Sequence, residues 1–266
     1  MDRMTTPAEA LYVEMDGRPA TEADLRVPAF AGYGHFTAFQ VRKRRVRGLA
    51  RHLERLDAAN RELFGLPLEG ERVRALVGHA LDGAGAVDAA VRVHGYLPPG
   101  RSGTAVMVTV AGPARMPSAP RGLMSVPYAR TAAELKRPGD FGQMYHLARA
   151  RRAGFDEALL TAPGGVVTEG AVTSIGFWDG TSVVLPDAPA LTGVTMALLE
   201  DRPAAGRPFV RRTVTLDGLG AYRAAFVTNS QGIAPVHRID GTVFEVDEAL
   251  MEDLAAAYGA APASTV

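Results

Sequence analysis

Of the 29 lysine and arginine residues in this 266-residue chain, only two are lysines, Lys43 and Lys136; the remaining 27 are arginines. A guanidinium stays protonated, whereas an amine can lose its proton and attack a carbonyl to form a Schiff base. A chain that uses arginine almost everywhere else has therefore kept an amine at 136 where arginine could not replace it. An isolated lysine is ordinarily a surface residue. Lys136 differs in its place, in "AELKRPGD" beside Pro138-Gly139, between a strand pattern and a helix pattern, where functional loops sit. Lys43, inside "RKRR", reads as a solvated turn residue.

A carboxylate follows 33 positions later. Glu169 lies in "GGVVTEGAVTSIGFWDG", after a β-rich run and before Gly170, at a strand end. Beside a Schiff-base lysine a carboxylate has a definite use: pyridoxal phosphate works as an electron sink when an acidic partner keeps its ring nitrogen protonated. The third feature is "ALTGVTMALL", a Gly-containing turn that runs into a helix pattern. The backbone N–H groups of Val194 and Thr195 there would be free donors for a phosphate. Arg55 in "RHLERL" and the polar run Thr228-Asn229-Ser230 are candidates to complete such a cradle.

The elements that must position these groups follow from periodicity. "LYVEM" and the Asp16-Gly17 turn signal open the chain as a strand and turn. "GHFTAFQVRKRRVRG" predicts two strands joined at Lys43-Arg44. "LARHLERLDAANRELFG" places Leu49, Leu53, Leu56, Asn60 and Leu63 at helical spacing and stops at Gly65. A second helix over "ERVRALVGHALDG" and the strands "AAVRVHGYL" and "TAVMVTVAG" complete a first half. The stretch "AGPARMPSAPRG" then breaks the composition. The division expected is an N-terminal domain over 1–112, a linker over 113–122 and a C-terminal domain over 123–266. In the second half, strands alternate with helices near 143–153, 193–202 and 246–258.

Formal net charge is zero, so no global field recruits nucleic acid or an acidic membrane surface. Cysteine is absent, which removes disulfides, thiolate metal sites and cysteine nucleophiles. The six histidines are scattered, and no metal site is expected; His35 and His94 are read as hydrogen-bonding residues. No run is long and apolar enough for a membrane span, and the chain is read as soluble and cytoplasmic.

Taken in order, "HLERL", Lys136, "AGFDEALL…VVTEG", "LTGVTMALL" and "TNSQGIAPVHRIDG" resemble the motifs of the fold-type IV pyridoxal-phosphate enzymes, the class IV aminotransferase family. That family includes branched-chain and D-amino-acid aminotransferases and aminodeoxychorismate lyase. The resemblance spans roughly residues 10–258. It implies an α+β fold of two domains, a smaller N-terminal α/β domain and a larger C-terminal pseudo-barrel that binds pyridoxal 5'-phosphate. It further implies a homodimer acting on a small amino donor and a keto-acid acceptor.

Carried over by position, the resemblance makes Lys136 the lysine of the internal aldimine and Glu169 the partner of the pyridine nitrogen. Arg55, the Val194 and Thr195 amides and Asn229 would hold the phosphate. Thr37, Arg92 and Ser230 fall on the substrate side. The chain departs from the family at Thr37, where many members carry an acid, at Ala38, at Thr173-Ser174 and at Phe141. These changes leave three activities open: transamination, elimination of the aminodeoxychorismate-lyase type, and ligand binding without catalysis.

Overall fold

The computed structural model describes residues 10–30, 32–202 and 206–266, which form two compact units. The first contains β1 (Ala10–Met15), β2 (Arg18–Pro19), α1 (Glu22–Phe30), β3 (His35–Arg42), β4 (Arg45–Arg47), α2 (Leu49–Phe64), α3 (Gly70–Gly83), β5 (Ala89–Tyr96) and β6 (Ala105–Ala111). The second contains β7 (Arg121–Pro127), α4 (Phe141–Arg152), β8 (Glu157–Ala162), β9 (Val166–Gly170), β10 (Ser174–Trp178), β11 (Val183–Pro186), α5 (Val194–Glu200), β12 (Phe209–Arg212), β13 (Ala224–Asn229), β14 (Gly232–Ile239), β15 (Thr242–Val243) and α6 (Glu248–Gly259). A last strand, β16 (Ala263–Thr265), returns to the first unit.

In the first unit an antiparallel sheet runs in the order β16-β4-β3-β5-β6-β1-β2. Lys43 and Arg44 both have positive φ, the primed-turn geometry that joins β3 to β4 with the twist of the strands. β3 alternates buried and half-buried residues, so His35, Thr37, Phe39 and Val41 share one face. Phe39 and Val41 pack there with Leu49 and Leu56 of α2 and with Val73, Val77 and Leu81 of α3. α2 stops where expected, because Gly65 takes a left-handed conformation and its N–H closes on Arg61 O.

The second unit holds a sheet in the order β12-β11-β10-β13-β14-β7-β8-β9, with β15 on β14, that curls into a half-barrel. Its β7–β8 and β14–β7 pairs are parallel and most of the others antiparallel. Near-continuous apolar runs follow from burial on both faces. Phe177 and Val227 lie in one core cluster, while Phe226 packs with Leu199 of α5 and Leu250 and Leu254 of α6.

Along the chain the first unit gives way to the second at Ala114/Arg115. Two segments depart from a simple two-part division: residues 135–139, which carry Lys136, and residues 262–266 both belong to the first unit. The linker composition could not reveal them, since each returns through backbone pairing with strands distant in sequence. Among the described residues no helix is long and apolar enough to cross a membrane.

Candidate functional site

In the first unit β4 pairs with β3 only at Val41 and Arg42, which leaves the β3 edge near Phe36 open. The Lys136 carbonyl takes that edge, accepting the Phe36 N–H at 2.8 Å. The Lys136 side chain is half-buried, with its ammonium 4.9 Å from the Phe36 ring centroid, within cation–π range. The His94 ring lies almost parallel to Phe36 at 5.1 Å, in the register that pairs these residues across β3 and β5. Burial, then the positive charge of Arg92, pushes the His94 imidazole down to about 3.

α2 supplies the second layer. His52 is buried, and burial reinforced by the charges of Arg55 and Lys136 pushes its imidazole down to about 3, so it is neutral. Its Nδ1 shares a 2.7 Å hydrogen bond with Thr37 Oγ1. Arg55, one turn further along α2, is desolvated enough to move down to about 10 and remains a cation at neutral pH. Thr37 is fully buried on the helix-covered face, with its hydroxyl bonded to His52. Arg92 is exposed on β5, opposite Ala38 and Thr109.

In the second unit Glu169 is buried near the end of β9. Arg130 Nη1 donates to its Oε1 at 3.0 Å, and the Leu191 N–H reaches its Oε2 at 3.3 Å. The two side chains are 3% and 7% exposed, so the pair is desolvated and held by charge-assisted hydrogen bonding. The next four residues form a tight turn in which Gly170 N–H donates to Thr173 O. A side chain on Gly170 would strike Thr173 Oγ1 and come within 2.8 Å of Glu157 Oε1. Glu157, wholly buried at the start of β8, accepts the Val172 N–H at 2.7 Å and the Thr173 hydroxyl at 3.0 Å.

Beyond that turn, Gly193 packs so closely on Ser174 Oγ that a Cβ has no room. This places β10 against the start of α5. Val194 and Thr195 occupy the first turn of α5, where backbone N–H groups lack intrahelical acceptors. Thr195 Oγ1 donates to Asn229 O at 2.8 Å, tying the helix start to the end of β13. Asn229 Oδ1 accepts the Gln231 N–H at 2.8 Å and its amide reaches Val172 O at 3.4 Å. That side chain therefore shapes the turn that contains Ser230, joining β13 to β14.

The predicted residues fall into two groups: Lys136, Arg55, Thr37 and Arg92 in the first unit, and Glu169, Val194, Thr195, Asn229 and Ser230 in the second. Three participants went unpredicted. His52 was readable as the first residue of "HLERL", and Glu157 as an acid at the head of an apolar strand. Arg130, one of 27 arginines, carried no local signal.

A half-buried amine, a buried and paired carboxylate and a desolvated guanidinium are the donor set that an aldehyde, a protonated ring nitrogen and a phosphate require. Ser174 Oγ occupies the space a side chain at Gly193 would need, so the turn before α5 requires glycine. The residues present fit pyridoxal phosphate. Among the described residues no group of three or more His, Cys, Asp or Glu side chains is placed to hold a metal ion.

The family model for class IV amino-transferases matches residues 34–239. Solved structures with the same fold include the branched-chain aminotransferase of Thermoproteus uzoniensis with norvaline (TM-score 0.79, 22% identity, 94% of each chain covered). A hypothetical aminotransferase from Mycobacterium tuberculosis in its PLP-bound form superposes with a TM-score of 0.76 at 23% identity, over 91% of this chain and 94% of that one. A proposed 4-amino-4-deoxychorismate lyase from Legionella pneumophila gives 0.76 at 21% identity, over 85% of this chain and 90% of the other. No curated protein matches the chain by sequence. The chain belongs to the class IV aminotransferase family, whose chemistry is pyridoxal-phosphate-dependent amino-group transfer.

Proposed function

We propose that this protein moves an amino group between a small amino acid or amine and a keto acid, with Lys136 as the catalytic residue. The observation that carries the assignment is the setting of Lys136. One of only two lysines lies on the open edge of β3, its ammonium over Phe36 and beside a neutral His52 and the cationic Arg55. Bound pyridoxal phosphate supplies the electron sink that makes an amino acid's α-hydrogen acidic. Lys136 supplies the amine that captures a carbonyl and, when free, the base that takes and returns the α-proton, worth about 10²–10⁴-fold. Glu169, oriented by Arg130 and the Leu191 amide, would hold a proton at the ring nitrogen. Arg55, the α5 amides and the Asn229 turn would hold the phosphate. Arg92 and Ser230 stand on the substrate side.

Elimination of the aminodeoxychorismate-lyase type is the second reading, favoured by Thr37 in place of the acid that many aminotransferases carry. Release of pyruvate from aminodeoxychorismate without a keto acid would select it. A homodimer is part of the proposal, supported by exposed Phe30 and Tyr33 in the first unit and Phe141 and Tyr145 in the second; sedimentation reads it directly. The deciding experiment adds pyridoxal phosphate to purified protein, records the visible spectrum, reduces with borohydride and maps the peptides. A visible band and a phosphopyridoxyl group on the Lys136 peptide support the assignment. A label confined to Lys43, or none, sinks it.

A further inference from the structure

Arg130 makes more contacts than a partner for Glu169 requires. The same guanidinium donates through Nη1 to Ala133 O and lies 3.6 Å, through Nε, from Asp140 Oδ2. Residues 130 and 140 are the two ends of the segment that carries Lys136, and Ala133 lies within it. Asp140 also N-caps α4 and accepts the Tyr128 hydroxyl at 3.2 Å. Side-chain exposure is 3% at Arg130 and 7% at both Asp140 and Glu169, so one buried cation sits between two buried carboxylates. Burial of this kind is costly unless the geometry is held, and removing the shared cation would take a buried positive charge away from both carboxylates at once.

We propose that Arg130 is a positioning residue that clamps the 131–139 segment at both ends while fixing the plane of the Glu169 carboxylate, so that the two are ordered together. This rests on the assignment of Lys136 and Glu169 given above. Arg130 itself touches no reacting atom. Its effect is on where the amine-bearing loop starts and ends, and on the plane in which Glu169 presents its carboxylate.

The test compares wild type with Arg130→Met, Arg130→Lys and Asp140→Asn. Hydrogen–deuterium exchange is measured without added cofactor, with β13 peptides as the internal control. Loss of one charge-assisted hydrogen bond predicts exchange about tenfold or more faster across 131–139 in Arg130→Met, with β13 unchanged. Arg130→Lys, which keeps the charge and loses the fork, falls between the two. Asp140→Asn loosens the segment while leaving the Glu169 contact, so it serves if Arg130→Met does not fold. The second readout is the rate of borohydride-trappable labelling of Lys136 by pyridoxal phosphate, slowed in Arg130→Met and partly restored in Arg130→Lys. Wild-type exchange and labelling rates in all three variants would overturn the proposal. A wild-type protein that never labels at Lys136 defeats the functional assignment instead, and the exchange comparison still decides the clamp.

Discussion

Lowering the pH from about 7 to about 5 protonates the histidines of the unfolded chain, whose ordinary value is near 6.5, but not His52 or His94, both held down to about 3 in the fold. The native state then binds fewer protons than the unfolded state, so stability is retained above about 6.5 and lost progressively as pH falls towards about 3. Each imidazole costs about 1.4 kcal/mol per pH unit inside that window, or about 2 kcal/mol between pH 7 and 5. The pair removes about 4 kcal/mol, a large fraction of the roughly 5–15 kcal/mol that holds a typical domain together. Replacing His52 by Gln, which can still bond the Thr37 hydroxyl, removes one of the two protons from the balance. Urea unfolding followed by circular dichroism at both pH values should show the acid loss reduced by about 2 kcal/mol in His52→Gln. An unchanged pH slope, or a His52 resonance titrating near 6.5 in the folded protein, would refute the argument that burial beside Arg55 and Lys136 keeps this ring neutral.

Burial raises the Glu157 carboxyl against the opposing pull of the Val172 amide and Arg121, so the folded state holds its proton to higher pH than the unfolded chain. Stability falls as pH rises above about 4.5, and Glu157→Gln should be the more stable protein at neutral pH, with the advantage vanishing below that value in thermal melts. Gly170→Ala forces a methyl group into Thr173 and Glu157 and should cost about 1–3 kcal/mol, read as a lowered Tm. Lys136→Arg should fold as wild type, because the main-chain bond to Phe36 and a cation over its ring both survive. The same change should abolish covalent labelling and lower transamination at least about 10²-fold; full activity in that variant would end the role assigned to the amine.

Much of this arrangement was legible because it is local. The Lys43-Arg44 hairpin, the 3.6-residue stripe of α2 with its Gly65 stop and the alternation of β3 are written in short windows. So was the retention of one amine in an arginine-rich chain. α1 was readable and went unread: Thr21 and Asp24 bond reciprocally, with Thr21 N–H to Asp24 Oδ2 at 2.8 Å, a capping-box signal in "TEAD", but Pro28 lies inside the helix and no residue of it is fully buried. The motif position of Thr37 is clear in the sequence while its face on β3 is not. Strand alternation fixes that face only once the covering helix is known. Arg130 is the opposite case, since nothing in "PYARTAAELK" distinguishes it from other arginines and its importance comes from carboxylates 10 and 39 positions away.

The antiparallel pairing of β16 with β4 sets Ser264 opposite Val46, and the Arg45 guanidinium donates to Ala263 O, 218 positions away along the chain. β16 is synthesised some 218 residues after β4, so the sheet of the first unit stays open at that end over that interval. Until then β4 presents an unpaired edge, the kind of template on which nascent chains associate. Deleting residues 262–266 would make that transient edge permanent. Expression yield and solubility should therefore respond to changes in a segment that holds none of the candidate site residues.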